Sequence, residues 1–160
     1  MIISSLLIGF LGGMILLGVL GWLMMPGLML KEWQSPLDVE ETVEKISQNA
    51  VAEGWVVSSV IPLDDSVKKH GGGDLPLVRL VNLCHAHHAF RILKEDPTKI
   101  VSVMMPCTIS VYQKTDGKTY VGTMNAGLMG KMFGGIVAKV MGGVVAKQQR
   151  AFISFVHNKA

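Results

Sequence analysis

The first thing missing from this 160-residue sequence is charge at its start: residues 2–30 contain no Asp, Glu, Lys or Arg. A helix over residues 2–25 would be about 36 Å long, enough to cross a hydrocarbon core about 30 Å thick. No basic residue precedes the run and no Ala-x-Ala follows it. The run also exceeds the apolar core of a secretory signal, which argues against a cleaved leader. Residues 1–30 are therefore expected to be an uncleaved, single-pass anchor, with Trp22 near its exit and Pro26-Gly27 breaking the helix there. Cysteine is scarce too. Cys84 and Cys107 cannot build a disulfide framework, and leave one bridge, a redox pair or two buried thiols. There is no Lys/Arg run with interleaved aromatics, and the net charge is only +3, so nucleic acid is not an expected partner. Cys-x-x-Cys-His is absent, which excludes covalent c-type haem attachment. So are a Walker loop, a nucleophile elbow and His-Glu-x-x-His.

Hydrophobic periodicity organises what is there. Ser35-Pro36-Leu37-Asp38 reads as a helix start capped by Ser35, with Val39, Val43, Ile46 and Ala50 on one face and Gly54 at the end. Strands are predicted over 55–61 and 75–83, with short helical turns over 64–70 between them. A helix follows over 85–95, its core face formed by Ala86, Ala89, Phe90 and Leu93. Residues 100–113 read as strand, Asp116-Gly117 as a hairpin turn, and 119–124 as the returning strand. The fold class is α+β: a small antiparallel sheet with helices on one face, preceded by one transmembrane helix.

Two sets of small residues bear on assembly. Ser5, Gly9, Gly13 and Gly21 fall on a four-residue spacing that would let anchor helices approach closely. Gly130, Gly134, Ala138, Gly142 and Ala146 repeat every four residues in an expected C-terminal helix over 131–160. Glycines this dense cost a soluble helix about 1 kcal/mol each relative to Ala, so a close packing partner is expected. Lys131, Lys139 and Lys147 argue against a second membrane span. The expected partners are membrane lipid and further copies of the chain.

The stretch Leu80-Val81-Asn82-Leu83-Cys84-His85-Ala86-His87-His88-Ala89-Phe90 is followed by Met105-Pro106-Cys107-Thr108-Ile109-Ser110-Val111-Tyr112. Then come Asp116-Gly117-Lys118 and Met124-Asn125-Ala126-Gly127-Leu128-Met129. Together they resemble the domain-of-unknown-function 302 family of bacteria and archaea, over residues 35–130. The resemblance implies a compact α+β domain that tends to dimerise, found alone or behind a membrane anchor, and no established reaction. In that family Asn-Pro usually follows the first Cys; here His85-Ala86 stands instead. Anchored members point to an extracytoplasmic domain at the cytoplasmic (inner) membrane. Lys31 and Lys45 pull faintly the other way.

Chemistry concentrates at Cys84, His85, His88 and Cys107. Cys84 precedes a helix N-terminus, where the dipole would favour a thiolate, and His85 and His88 share a helical face. If the strands carrying Cys84 and Cys107 are antiparallel neighbours, these four side chains could ligate zinc, copper or haem iron, with Met104 and Met105 nearby. Two packed thiols and a surface His87 are the bland alternative, and His70 has only a helix end to recommend it. Two functions follow. One is a membrane-anchored binding and assembly protein, an accessory of a membrane redox complex carrying a metal or haem at His85 and His88. The other is a thiol-based redox enzyme or carrier in which Cys84 attacks and Cys107 resolves.

Overall fold

The computed structural model describes residues 2–157, and side chains from residue 9 to residue 156. Helix α1 (Ile2–Met29) is long and apolar enough to cross a membrane, and its described side chains are exposed as far as Leu28. Ser5 of the small-residue series lies outside the described side chains. Pro26 sits inside α1 without ending it, and the helix passes into strand β1 (Leu30–Gln34) with no linker. Residues 30–34 were not expected to form a strand. Nothing in their own pattern marks one; they become β-structure by pairing with the hairpin strand, from Leu30 opposite Met124 to Gln34 opposite Tyr120.

Strands β2 (Val56–Pro62), β3 (Val78–Cys84), β4 (Cys107–Gln113) and β5 (Thr119–Met124) complete one antiparallel sheet in the order β1-β5-β4-β3-β2. Gly117 (φ +77°) makes the expected hairpin between β4 and β5. Along β4 and β5 burial alternates, and Val81, Leu83, Ile109, Val111 and Val121 form the buried face. The open face carries polar pairs, including Glu32 with Tyr112 and with Lys114.

Helix α2 (Val39–Ala52) buries Val39, Val43, Ile46 and Ala50, as its spacing predicts. Its cap differs from expectation. Ser35 Oγ is engaged with Thr42 at 2.7 Å, and Asp38 caps instead, accepting from Glu41 N at 2.8 Å in a capping box. Helix α3 (Leu63–Lys69) brings Asp64 to Arg79, which also donates to Glu40 at 2.9 Å.

Three expectations change beyond β3. Helix α4 (Ala86–Leu93) buries Ile92 and leaves Phe90 67% exposed, so its inward face is turned from the predicted one. Strand was predicted from residue 100, but Asp96–Met104 is a 3-10 helix. Pro97 starts it, and Thr98, Val101 and Met104 turn inward every third residue while Ile100 and Val103 stay exposed. Its β-branched residues are thus not enough to make a strand without a neighbour to pair with.

The single C-terminal helix expected over 131–160 is instead a folded-back pair. Helix α5 (Ala126–Phe133) ends at Gly134 and Gly135, whose φ of +67° and +52° reverse the chain. Short α6 (Gly135–Val137), a π-helical stretch (Ala138–Val145) and α7 (Ala146–Phe152) then return across it, followed by α8 (Ser154–His157). A Cβ on Gly130 would lie 2.4 Å from Gly142 N. The close partner demanded by these glycines is therefore the chain itself. Val137, Val140, Met141, Val145, Phe152 and Ile153 are buried in the same core as the sheet.

Candidate functional site

Strand β3 delivers Cys84 to the edge of the core, and His85 (φ −120°, ψ 105°) turns the chain into α4 without a side-chain cap. His85, His88, Ala89 and Ile92 follow the 0, 3, 4, 7 spacing of one helical stripe, and all four face inward. His87 stands on the opposite, exposed side. Residue pattern alone favoured Ala86 and Phe90 as the core face because they are apolar. The helix is instead rotated so that two imidazoles enter the interior.

They enter beside Trp55, which is 4% exposed and follows the Gly54 turn (φ +81°). His85 and His88 stack with ring centroids 3.8 Å apart and planes 20° from parallel. The Trp55 indole meets them edge-on at 5.5 and 5.9 Å, and Phe152 closes its other side at 5.4 Å.

Gln148, on α7, fixes the protonation pattern. Trp55 Nε1–H can only donate, so the Gln148 atom 3.2 Å from it is the carboxamide oxygen. The same oxygen lies 3.1 Å from His88 Nε2, which must therefore donate as well. In neutral His88 this leaves Nδ1 a bare acceptor. Burial holds the His88 pKa below 6.5, and the neighbouring His85 adds to the effect, so the neutral form is favoured. The Nδ1 atoms of both His85 and His88 are buried and have no hydrogen-bond partner among the described residues. Buried polar atoms are ordinarily paired, and two orphans in one stacked pair mark the place as unusual.

Both thiols adjoin the histidines. Cys107 lies opposite Leu83 across the β3–β4 ladder, one residue from Cys84. The two cysteines are unbridged, and together with His85, His88, Met105 and Met141 they line a cavity of about 30 Å³. Burial pushes the Cys107 thiol up to about 11, with Cys84 adding to the shift. Cys107 is therefore a protonated thiol near neutral pH, and a reluctant thiolate.

The four residues singled out from sequence thus share one pocket. They do not form a finished cage: among the described residues no three His, Cys, Asp or Glu side chains are grouped closely enough to hold one ion. His70 is elsewhere, exposed, with Nδ1 against Ser66 O at 2.8 Å. Trp55, Gln148 and Met141 were not identified from sequence. Gln148 lies 93 residues from the Trp55 it bonds, and no local pattern announces such a contact. A larger cleft of about 490 Å³ runs between residues 34–40 and the hairpin, but in its wall Ser35 is already paired with Thr42 and Asp38 is engaged in capping.

Comparison with known proteins adds the family and no activity. No curated protein matches the chain. Among solved structures, an uncharacterised conserved DUF302 protein from Bacillus stearothermophilus superposes with a TM-score of 0.70 at 19% identity, covering 81% of this chain and 98% of that one. At that identity the likeness speaks for the fold. The family model for the domain of unknown function DUF302 matches residues 31–155, from β1 through the folded-back C-terminal helices, and so the chain belongs to the DUF302 family.

Proposed function

We propose that this chain is a membrane-tethered binding and assembly protein whose domain holds one transition-metal ion in the pocket of His85, His88, Cys84 and Cys107. The observation that carries this reading is the pair of buried, unpartnered Nδ1 atoms beside two free thiols. An imidazole oriented by a hydrogen bond on one nitrogen presents the other to a ligand, and Gln148 supplies that orientation to His88. A space of about 30 Å³ suits an ion or a water and not a porphyrin, which favours a metal over haem. Side-chain rotation of the cysteines would bring sulfur toward the imidazoles, and a thiolate ligand would require Cys107 to release its proton.

The tether is α1, long and apolar enough to span a bilayer. It would keep the ion at the surface of the cytoplasmic membrane, on the extracytoplasmic side by likeness to anchored members, with a membrane redox complex as partner. Self-association in this reading runs through Gly9 and Gly13 of the anchor, which have open space around them, because the C-terminal glycines are used within the chain. Thiol exchange is the weaker reading, since burial opposes ionisation of Cys107.

The test uses the full chain purified in detergent, exposed in turn to zinc, copper and iron, then desalted for elemental analysis. About one ion per chain is expected, lost in the His85→Ala/His88→Ala double variant. Absence of stoichiometric metal under all three conditions overturns the proposal.

A further inference from the structure

A second cavity, of about 220 Å³, adjoins the first and shares its wall of Met105, Pro106, Cys107 and Met141. Met104 and Met124 line its far side. Of the six methionines beyond residue 30, four are gathered here, brought in by the end of the 3-10 helix, the end of β5 and the π-helical stretch. Methionine ordinarily fills irregular gaps in a core. Met141 is buried in the core and Met104 and Met105 pack against it, but all four also border this open space, where their thioethers have room for a guest.

We propose that the two cavities form one path for a soft monovalent cation, Cu(I) or Ag(I), with the methionine-lined space as the antechamber and the His85–His88 pocket as the terminus. This rests on the metal-binding reading above and names the ion. Thioethers are neutral, soft donors that bind Cu(I) without releasing a proton, whereas hard divalent ions need carboxylate or carbonyl oxygen. No Asp or Glu lines either cavity. Neutral sulfur and neutral imidazole together offer little charge to balance a divalent cation, but they suit an ion of single charge. Transfer inward exchanges thioether ligands for imidazole at the shared wall; the ion keeps its oxidation state, and no electron or covalent bond is moved.

The experiment compares the full chain in detergent micelles with a Met104→Leu/Met124→Leu double variant, which conserves volume and leaves the inner pocket intact. Cu(I) and Ag(I) are titrated anaerobically against a chromophoric chelator, with their transfer from it also followed in time, and Zn(II) separately; circular dichroism checks the fold. Expected is one tightly held monovalent ion per wild-type chain, taken up several-fold more slowly by the double variant, with its final affinity and the Zn(II) affinity unchanged. Equal Cu(I) and Ag(I) uptake rates in both proteins overturn the antechamber and leave the inner metal site standing. Binding of Zn(II) but neither monovalent ion overturns the choice of ion alone. No binding of any metal overturns this inference and the proposed function together.

Discussion

At the scale of single residues, Gln148 is the hinge of the site. Its one oxygen accepts from both Trp55 and His88. Gln148→Leu would remove the acceptor from buried Trp55 and half-buried His88, and an unsatisfied buried group costs about 1–3 kcal/mol. Denaturant unfolding should show a loss in that range, and nitrogen NMR should show the His88 tautomer no longer held with hydrogen on Nε2. Unchanged stability together with an unchanged tautomer would remove Gln148 from this role. His88 also makes a pH prediction. Its folded pKa lies below 6.5, through burial and then the adjacent His85, with Arg91 and His87 contributing, so the unfolded chain takes up a proton that the native chain resists. Stability attributable to His88 is thus complete above about pH 6.5 and declines as pH falls toward the folded value. His88→Phe should flatten the stability slope between pH 7 and pH 5, measured by urea midpoints. An identical slope in the variant would contradict the assignment.

At the scale of elements, the crossing of α5 over the π-helical stretch depends on the absence of side chains. A methyl group on Gly130 would sit 2.4 Å from the backbone nitrogen of Gly142 and 2.9 Å from its Cα. Backbone cannot yield there as a flexible side chain could. Gly130→Ala should therefore cost about 3 kcal/mol, the upper end of ordinary overpacking, seen as a lowered melting temperature. Gly143, next to Gly142, has open space around the same position. Gly143→Ala should be neutral or stabilise by up to about 1 kcal/mol through reduced backbone freedom. If both variants behave alike, the close crossing is not what the glycines serve. The four-residue repeat was legible in the sequence, and so was its demand for a partner. The identity of the partner was not, because only the reversal at Gly134 and Gly135 turns one half of the repeat onto the other.

At the scale of the whole molecule, the long apolar helix α1 and the sheet are directly joined. α1 ends at Met29 and β1 begins at Leu30, while Asn125 ties the junction by donating from its backbone to Met29 O at 2.7 Å and from Nδ2 to Leu28 O at 2.9 Å. A chain starting at Leu30 should be water-soluble and folded. One starting at Ser35 would lack β1, leave the hydrogen-bonding edge of β5 bare, and melt lower or aggregate. Sedimentation and circular dichroism of the two truncations decide this; equal behaviour would show that β1 contributes nothing.

Local pattern alone settled the elements that satisfy themselves. The apolar run of α1, the buried stripe of α2 and the Asp116-Gly117 hairpin need only their own spacing or turn chemistry to be recognised. Cys84, His85, His88 and Cys107 could be marked as a neighbourhood in the sequence, but the β3–β4 pairing that brings Cys107 beside Cys84 was an open condition there. Tertiary structure decided β1, the 3-10 helix, the rotation of α4 and the folded-back C-terminus. For three of these the outcome depends on a surface outside the element itself: β5 for β1, Trp55 and Gln148 for the histidines, α5 for the π-helical stretch. Side-chain periodicity records which face of an element is apolar, but what lies opposite that face is a property of the packed chain.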